Sequence, residues 1–169
     1  MHPGETSAPS RPTPPVQRFL IAVLPVAAAG VLGTIATTPN IPTWYAGLAK
    51  PGFTPPNWLF GPVWTLLYAL MAYALWRILS LPSDRPGRRT AIAAFFVQLV
   101  LNALWSWAFF GAHSPLAGLV VIAALLIAII ATIHAFWPLD RTAAGLLVPY
   151  LAWVIYATAL NAAIWRLNP

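Results

Sequence analysis

The side chains of this sequence that can do chemistry inside apolar runs are amides and indoles set one helical turn apart. Gln98 and Asn102 stand at i and i+4, and Trp105 and Phe109 continue their stripe. Trp153, Ala157 and Asn161 repeat the theme at i, i+4 and i+8, and Trp64, Tyr68 and Met71 share a third face. An amide surrounded by hydrocarbon must find a partner, so these stripes are expected to face a common interior. Two uses fit them, interhelical hydrogen bonding and the lining of a ligand cavity, and the two are compatible. Trp105 and Trp107 lie two apart and point roughly opposite ways, so only one of them can look inward. The deeper rings Trp64, Trp105 and Trp153 are candidates for holding a flat ligand.

Other chemistries find little support. The acids are Glu5, Asp84 and Asp140, all outside the apolar runs, which argues against a proton-coupled pump with an intramembrane carboxylate. The absence of cysteine removes disulfides, thiolate metal sites and Cys nucleophiles. His113 and His134 fall at the ends of apolar runs without a second ligand at i+4, so they read as interfacial residues and no metal site is expected. No G-x-S-x-G, Walker or G-x-G-x-x-G arrangement occurs.

The elements that position these groups follow from composition. The 169 residues are 60% hydrophobic and 7% charged, against about 25% charged in a soluble domain. Such a chain cannot cover itself with a polar shell, and a bilayer is the solvent it suits. Five apolar runs, 19–38, 58–79, 91–112, 115–137 and 143–167, are each close to the ~20 residues that cross ~30 Å of hydrocarbon. Backbone groups in lipid must pair within their own segment, and no alternating ten-residue strands suggest a barrel. The expected fold is therefore all-α and integral to the membrane, a bundle of five transmembrane helices over residues 19–169. Residues 1–18, rich in Pro, Ser and Thr, read as a disordered tail. A cleaved signal peptide is the rival reading of the first run, although its apolar part is longer than usual.

The pI of 10.6 comes from only nine Lys and Arg, and these lie in short connections rather than along a stripe, so nucleic acid is not the expected partner. Arg11, Arg18, Arg77, Arg85, Arg88, Arg89 and Arg141 fall on one side of the bundle, Lys50 and Arg166 on the other. The positive-inside rule then places the N-terminus in the cytoplasm. Within the helices, Pro25 and Pro149 are expected to bend their segments. Ala29-xxx-Gly33 is a small-xxx-small pattern open to dimerisation.

The longest connection and its flanks, WYAGLAKPGFTPPNWLFGPVW at 44–64, hold three Trp, four Pro and one charge, Lys50. Interfacial belts account for Trp44, Trp58, Trp76, Trp137 and Trp165 by position. Lys50 reads as a surface lysine near headgroups, with a ligand carboxylate as the alternative partner.

Taken with QLVLNALWSWAFFG at 98–111 and VPYLAWVIYATALNAAIWRLN at 148–168, this stretch resembles the TspO/MBR family of tryptophan-rich sensory and translocator proteins, in the family's order and over nearly everything after residue 19. The resemblance implies a five-helix bundle, usually a homodimer, whose first connection folds over a ligand cavity as a lid. It implies no required cofactor. The implied ligands are tetrapyrroles such as protoporphyrin IX and haem, and synthetic benzodiazepine-type and isoquinoline carboxamide compounds. Mapped by motif, the pocket would be lined by Trp44, Phe53, Asn57, Trp58, Trp64, Gln98, Asn102, Trp105, Trp153, Ala157 and Asn161. Some bacterial members are similar to light-dependent porphyrin-degrading catalysts, which would make Trp64 and Trp153 the reactive indoles. Phe53 stands where Trp is frequent, and Asn57 replaces a His of animal members. Tyr156 lies ten positions before Arg166 and Ala162 takes the place of the animal Tyr, so sterol binding gains no support. Physical chemistry agrees with such a pocket: an aromatic-lined cavity with few polar anchors suits a wide, flat, apolar disc. Prolines at 39, 42, 51, 55, 56 and 62 limit the entropy lost when the connection closes.

Overall fold

The computed structural model of the protein describes residues 14–169. Among the described residues six α-helices follow one another: α1 (Pro15–Thr37), α2 (Asn57–Leu79), α3 (Arg88–Ser106), α4 (Pro115–Phe136), α5 (Arg141–Leu146) and α6 (Val148–Leu167). There is no strand among the described residues. With their continuations they make five helical stretches long and apolar enough to cross a membrane, so the protein is a multi-pass integral membrane protein.

The boundaries shift for local reasons. Pro15 sits at the first helical position, where a missing N–H costs nothing and φ is already helical. Val16–Arg18, expected to belong to the tail, are thus helical, while residues 1–13 of that tail lie outside the described residues. At its far end α1 runs on through a 3₁₀ turn, Thr38–Asn40, and a π turn, Ile41–Tyr45. Trp44 and Tyr45 consequently extend the first span, and the connection shrinks to residues 46–56, of which Ala46 and Gly47 are still helical. Pro149 has no N–H for the Gly145 carbonyl, and the expected single last helix is interrupted at Leu147, giving α5 and α6. Pro25, in contrast, is accommodated inside a continuous α1. Gly87 begins α3 with φ of 82°, a left-handed conformation that a side chain would strain.

In the bundle α3 packs on α4 and α1, α1 on α2, and α4 on α6. At one end α5 closes the ring by packing on α2. That end is tied by the Arg77 Nε–H donating to Asp140 at 2.8 Å. Arg88 donates to the Ile78 and Leu79 carbonyls, covering the end of α2. At the opposite end aromatic side chains bridge α2 and α6: Phe60 meets Trp153 and Trp64 meets Tyr150. The core is aliphatic and aromatic, centred on Met71, Leu75, Phe95, Ile129 and Phe136. Leu24, Leu66, Val120 and Ile127 are turned outward, as lipid requires.

Ala29 and Gly33 are both buried inside the chain. A Cβ on Gly33 would come within 3.1 Å of the Ser106 hydroxyl. The small-residue pattern therefore brings α1 against α3 of the same molecule and is not a free dimerisation face.

Candidate functional site

Two hydrogen-bonded layers cross the bundle between α5 and the 46–56 connection. In the deeper one the Tyr68 hydroxyl donates to the Asn102 side-chain carbonyl at 2.9 Å, and the Asn102 amide donates to the Tyr150 hydroxyl at 3.0 Å. Three helices, α2, α3 and α6, thus meet at one amide. Trp64 rests on this layer, with its ring 5.3 Å from that of Tyr68 and edge-on to Tyr150 at 6.2 Å. One turn along α3, away from the connection, Gln98 is 1% exposed and both its amide atoms are without a partner. An orphaned buried amide is costly, and Gln98 is the one side chain among the described residues left in this condition.

In the outer layer the Trp105 indole N–H donates to the Asn161 side-chain carbonyl at 3.2 Å, and the Asn161 amide donates to the Pro115 carbonyl at 2.7 Å. Gly118 makes room for this. A Cβ there would stand 2.8 Å from the Asn161 oxygen and 2.9 Å from the Phe109 ring. Trp105 stacks on Phe109 at 5.7 Å, and Phe110 stands edge-on to both. The π turn at Trp107–Gly111 accounts for the adjacent pair, since its inserted residue shifts the helical phase so that Phe109 and Phe110 are both buried. Trp107 points outward, and of the two neighbouring indoles it is Trp105 that looks in.

The 46–56 connection is fastened to α6. The Ala49 N–H donates to the Asn168 side chain, and the Asn168 amide donates back to the Ala49 carbonyl, both at 3.0 Å. The Tyr156 hydroxyl donates to the Phe53 carbonyl at 2.7 Å, with the two rings in edge contact. Lys50 is spent inside the connection. Its ammonium donates to the Ala46 and Leu48 carbonyls and lies 4.7 Å over the Tyr45 ring. On the other flank, Trp44 stacks on His113 at 4.9 Å, and His113 pairs with Asn40 at 2.7 Å. His113 adopts φ of 52° to do so.

The expected site residues fall in three places. Trp64, Gln98, Asn102, Trp105, Trp153, Ala157 and Asn161 are buried or half-buried on the facing stripes of α2, α3 and α6. Trp153 lies between Phe60 at 5.9 Å and Tyr156 at 5.5 Å. Trp44 is half-buried but set to one side, against Phe109, Phe110 and His113. Phe53, Asn57 and Trp58 are exposed, Trp58 at 72%, and the structure does not bring them to the interior stripes. Tyr150, Phe60, Tyr156 and Asn168 were not anticipated. Extending the Trp153 stripe back by one turn reaches Tyr150. Nothing in the pattern marks Asn168, whose role depends on where the connection returns. No group of three or more His, Asp or Glu side chains able to hold a metal occurs among the described residues.

Such a site, without a charged side chain on the facing stripes, can orient a molecule by stacking and by a few hydrogen bonds. Residues 21–166 match the TspO/MBR family. The chain is 47% identical over 153 residues to the tryptophan-rich protein TspO of Archaeoglobus fulgidus, covering 90% of this chain and 98% of that one. It is 38% identical over 151 residues to protein CrtK of Rhodobacter capsulatus, 89% of this chain and 92% of the relative. It is 39% identical over 128 residues to the human translocator protein, 74% of this chain and 75% of the relative.

Proposed function

Since the chain belongs to the TspO/MBR family, we propose that it is a membrane receptor or carrier that binds tetrapyrroles, protoporphyrin IX or haem, between α2 and α6 beneath the 46–56 lid. The observation that carries this reading is the placement of Trp64 and Trp153. Both turn toward the seam where α2 and α6 are joined by rings rather than by close backbone packing. Aromatic rings slide apart at small cost, and a planar pigment can replace ring–ring contacts with ring–ligand contacts of the same kind. The Asn102–Tyr150 and Trp105–Asn161 bonds supply polar anchors at two depths. Orphaned Gln98 offers both a donor and an acceptor for a third. The lid lies on the side opposite the arginine-rich connections, so the site opens away from the cytoplasm, and the working form is a homodimer in the bilayer.

A second reading has the illuminated porphyrin oxidised by way of a radical on these same indoles, making the protein a light-dependent porphyrin-degrading enzyme. The inward placement of both indoles favours it equally.

Titration of intrinsic Trp fluorescence with protoporphyrin IX tests binding. Quenching is expected to saturate near one ligand per chain, and quenching that grows without saturation overturns both readings. Illumination of the complex separates them. Porphyrin loss abolished in Trp64→Phe and Trp153→Phe supports the enzyme, and loss indifferent to these changes supports the receptor or carrier.

A further inference from the structure

A hollow of about 550 Å³ lies on the outer side of the bundle, between α1 and α2, within the ~300–1,000 Å³ of ordinary ligand sites. Phe19, Val23 and Ala27 form one wall, Ala69, Ala72 and Tyr73 the other, and Tyr68 and Trp76 stand at its two ends. No polar side chain lines it apart from the two tyrosines. Small residues on facing positions open the hollow: Ala27 and Ala69 are exposed where larger side chains would close the cleft.

The ends of this hollow differ in charge. Phe19 and Trp76 lie at the arginine-rich end of the bundle, and each is followed or preceded in sequence by an arginine, Arg77 and Arg18. The Arg77 guanidinium lies 5.9 Å over the ring of Tyr73, a wall residue, and its side chain remains 31% exposed despite the bond to Asp140. Among the described residues, Arg85, Arg88, Arg89 and Arg141 occupy the same end against Asp84 and Asp140, six arginines to two acids with Arg18 and Arg77. An apolar cleft running up from a basic rim has the amphipathic layout of one lipid molecule: hydrocarbon in the cleft and an anionic headgroup at the rim.

The geometry points to this hollow as a specific site for an anionic phospholipid, with an acyl chain between α1 and α2 and its phosphate beside Arg18 and Arg77. The inner end of the cleft gives the lipid a second consequence. The Tyr68 ring forms part of the cleft wall, and its hydroxyl holds Asn102 in the interior layer. Gly30 abuts the other side of that ring, where a Cβ would come within 3.1 Å. The ring is thereby held between α1 and the cleft, and an acyl chain fills the side that is otherwise open. A lipid retained here braces Tyr68 and, through it, the polar layer.

Native mass spectrometry of the intact protein, incubated with equal amounts of a phosphatidylglycerol and a phosphatidylcholine of identical chains, tests the site. One phosphatidylglycerol is expected to survive detergent removal, exceeding phosphatidylcholine about tenfold. Ala69→Phe and Ala27→Phe, which fill the cleft from opposite walls, are each expected to remove that lipid. Arg18→Gln is expected to bring the two lipids toward equal retention while leaving the cleft intact. Equal retention by the unaltered protein overturns the proposal, as does retention unaffected by either filling substitution. A change of oligomeric state in Ala69→Phe without loss of lipid also overturns it and gives the cleft to a second copy of the chain. The porphyrin titration of both filled variants is expected to stay as in the unaltered protein. Loss of porphyrin binding with lipid retained assigns the hollow to the pigment instead.

Discussion

Asn102 holds Tyr150 at 3.0 Å while accepting the Tyr68 hydroxyl at 2.9 Å, so one amide fastens α3 to both α2 and α6. Asn102 and Tyr150 are buried and Tyr68 is half-buried within the span, where hydrocarbon offers no substitute partner. Replacing Asn102 by Ala strips both hydroxyls of that partner at once, at about 1–3 kcal/mol for each buried group left unsatisfied. The cost of Asn102→Ala and Tyr150→Phe together is expected to be less than the sum of the two alone. A double-mutant cycle on unfolding in mixed micelles measures this. Strict additivity would mean that the bond contributes nothing.

The lid hangs on two fastenings, Asn168 to Ala49 and Tyr156 to Phe53. Asn168→Ala removes both bonds to Ala49 and the side chain's own bond to the Ile164 carbonyl, and Tyr156→Phe removes one. Because the bundle core does not depend on them, both variants are expected to retain the unaltered protein's melting temperature within the small effects of surface substitutions. Amide exchange across residues 46–56 should accelerate by about tenfold in each, roughly the 1.4 kcal/mol of a modest hydrogen bond, and further in the double variant. Unchanged exchange in the double variant would show that the prolines alone hold the lid.

Gly118 lies under Asn161 and Phe109 with no space for a methyl group. Gly118→Ala must push Asn161 from Trp105 or displace the Phe109 ring. Overpacking of this kind costs about 1–3 kcal/mol, while the helix gains about 1 kcal/mol from the better helix former. A net loss of stability is expected, accompanied by a blue shift of Trp105 fluorescence as its indole N–H loses the polar amide. A stabilised variant with an unchanged spectrum would place the Asn161 oxygen elsewhere.

What the sequence revealed and what it concealed have separate physical causes. Five spans and the inward stripes of Gln98, Asn102 and Asn161 were legible because hydrocarbon imposes two unforgiving rules, length and hydrogen-bond satisfaction. Those rules act on each helix alone, and a single stripe displays them. The break at Leu147 was only half legible: Pro149 announces a bend, but whether the helix curves or stops depends on how α5 packs on α2. Trp44 and Tyr45 looked like connection because prolines 39 and 42 precede them, yet 3₁₀ and π turns carry the helix through both. The lid fastenings were hidden, since Asn168 and Ala49 are 119 residues apart and no local pattern relates them. Lys50 reads as a surface lysine near headgroups, and the fold adds only local partners, carbonyls two and four residues back.

The arginine-rich end of the molecule provides the test of pH. Burial alone would raise the Asp140 carboxyl, but the Ala143 N–H and the Arg77 guanidinium, both bonded to it, outweigh burial and hold it below its ordinary value of 3.8. A carboxylate lowered in the folded state stabilises fully above its unfolded value. That contribution disappears as pH falls through the lowered native value. Asp140 also caps α5, so its protonation loosens the helix that packs on α2. Melting temperature is expected to be flat from neutral pH down to about 4 and to fall below it. In Asp140→Asn the amide still caps but carries no charge for Arg77, so this variant should be less stable at neutral pH and approach the unaltered protein as the medium becomes acidic. Parallel curves, with a constant difference down to the lowest pH, would show that the pair does not titrate and that the cap alone supports α5.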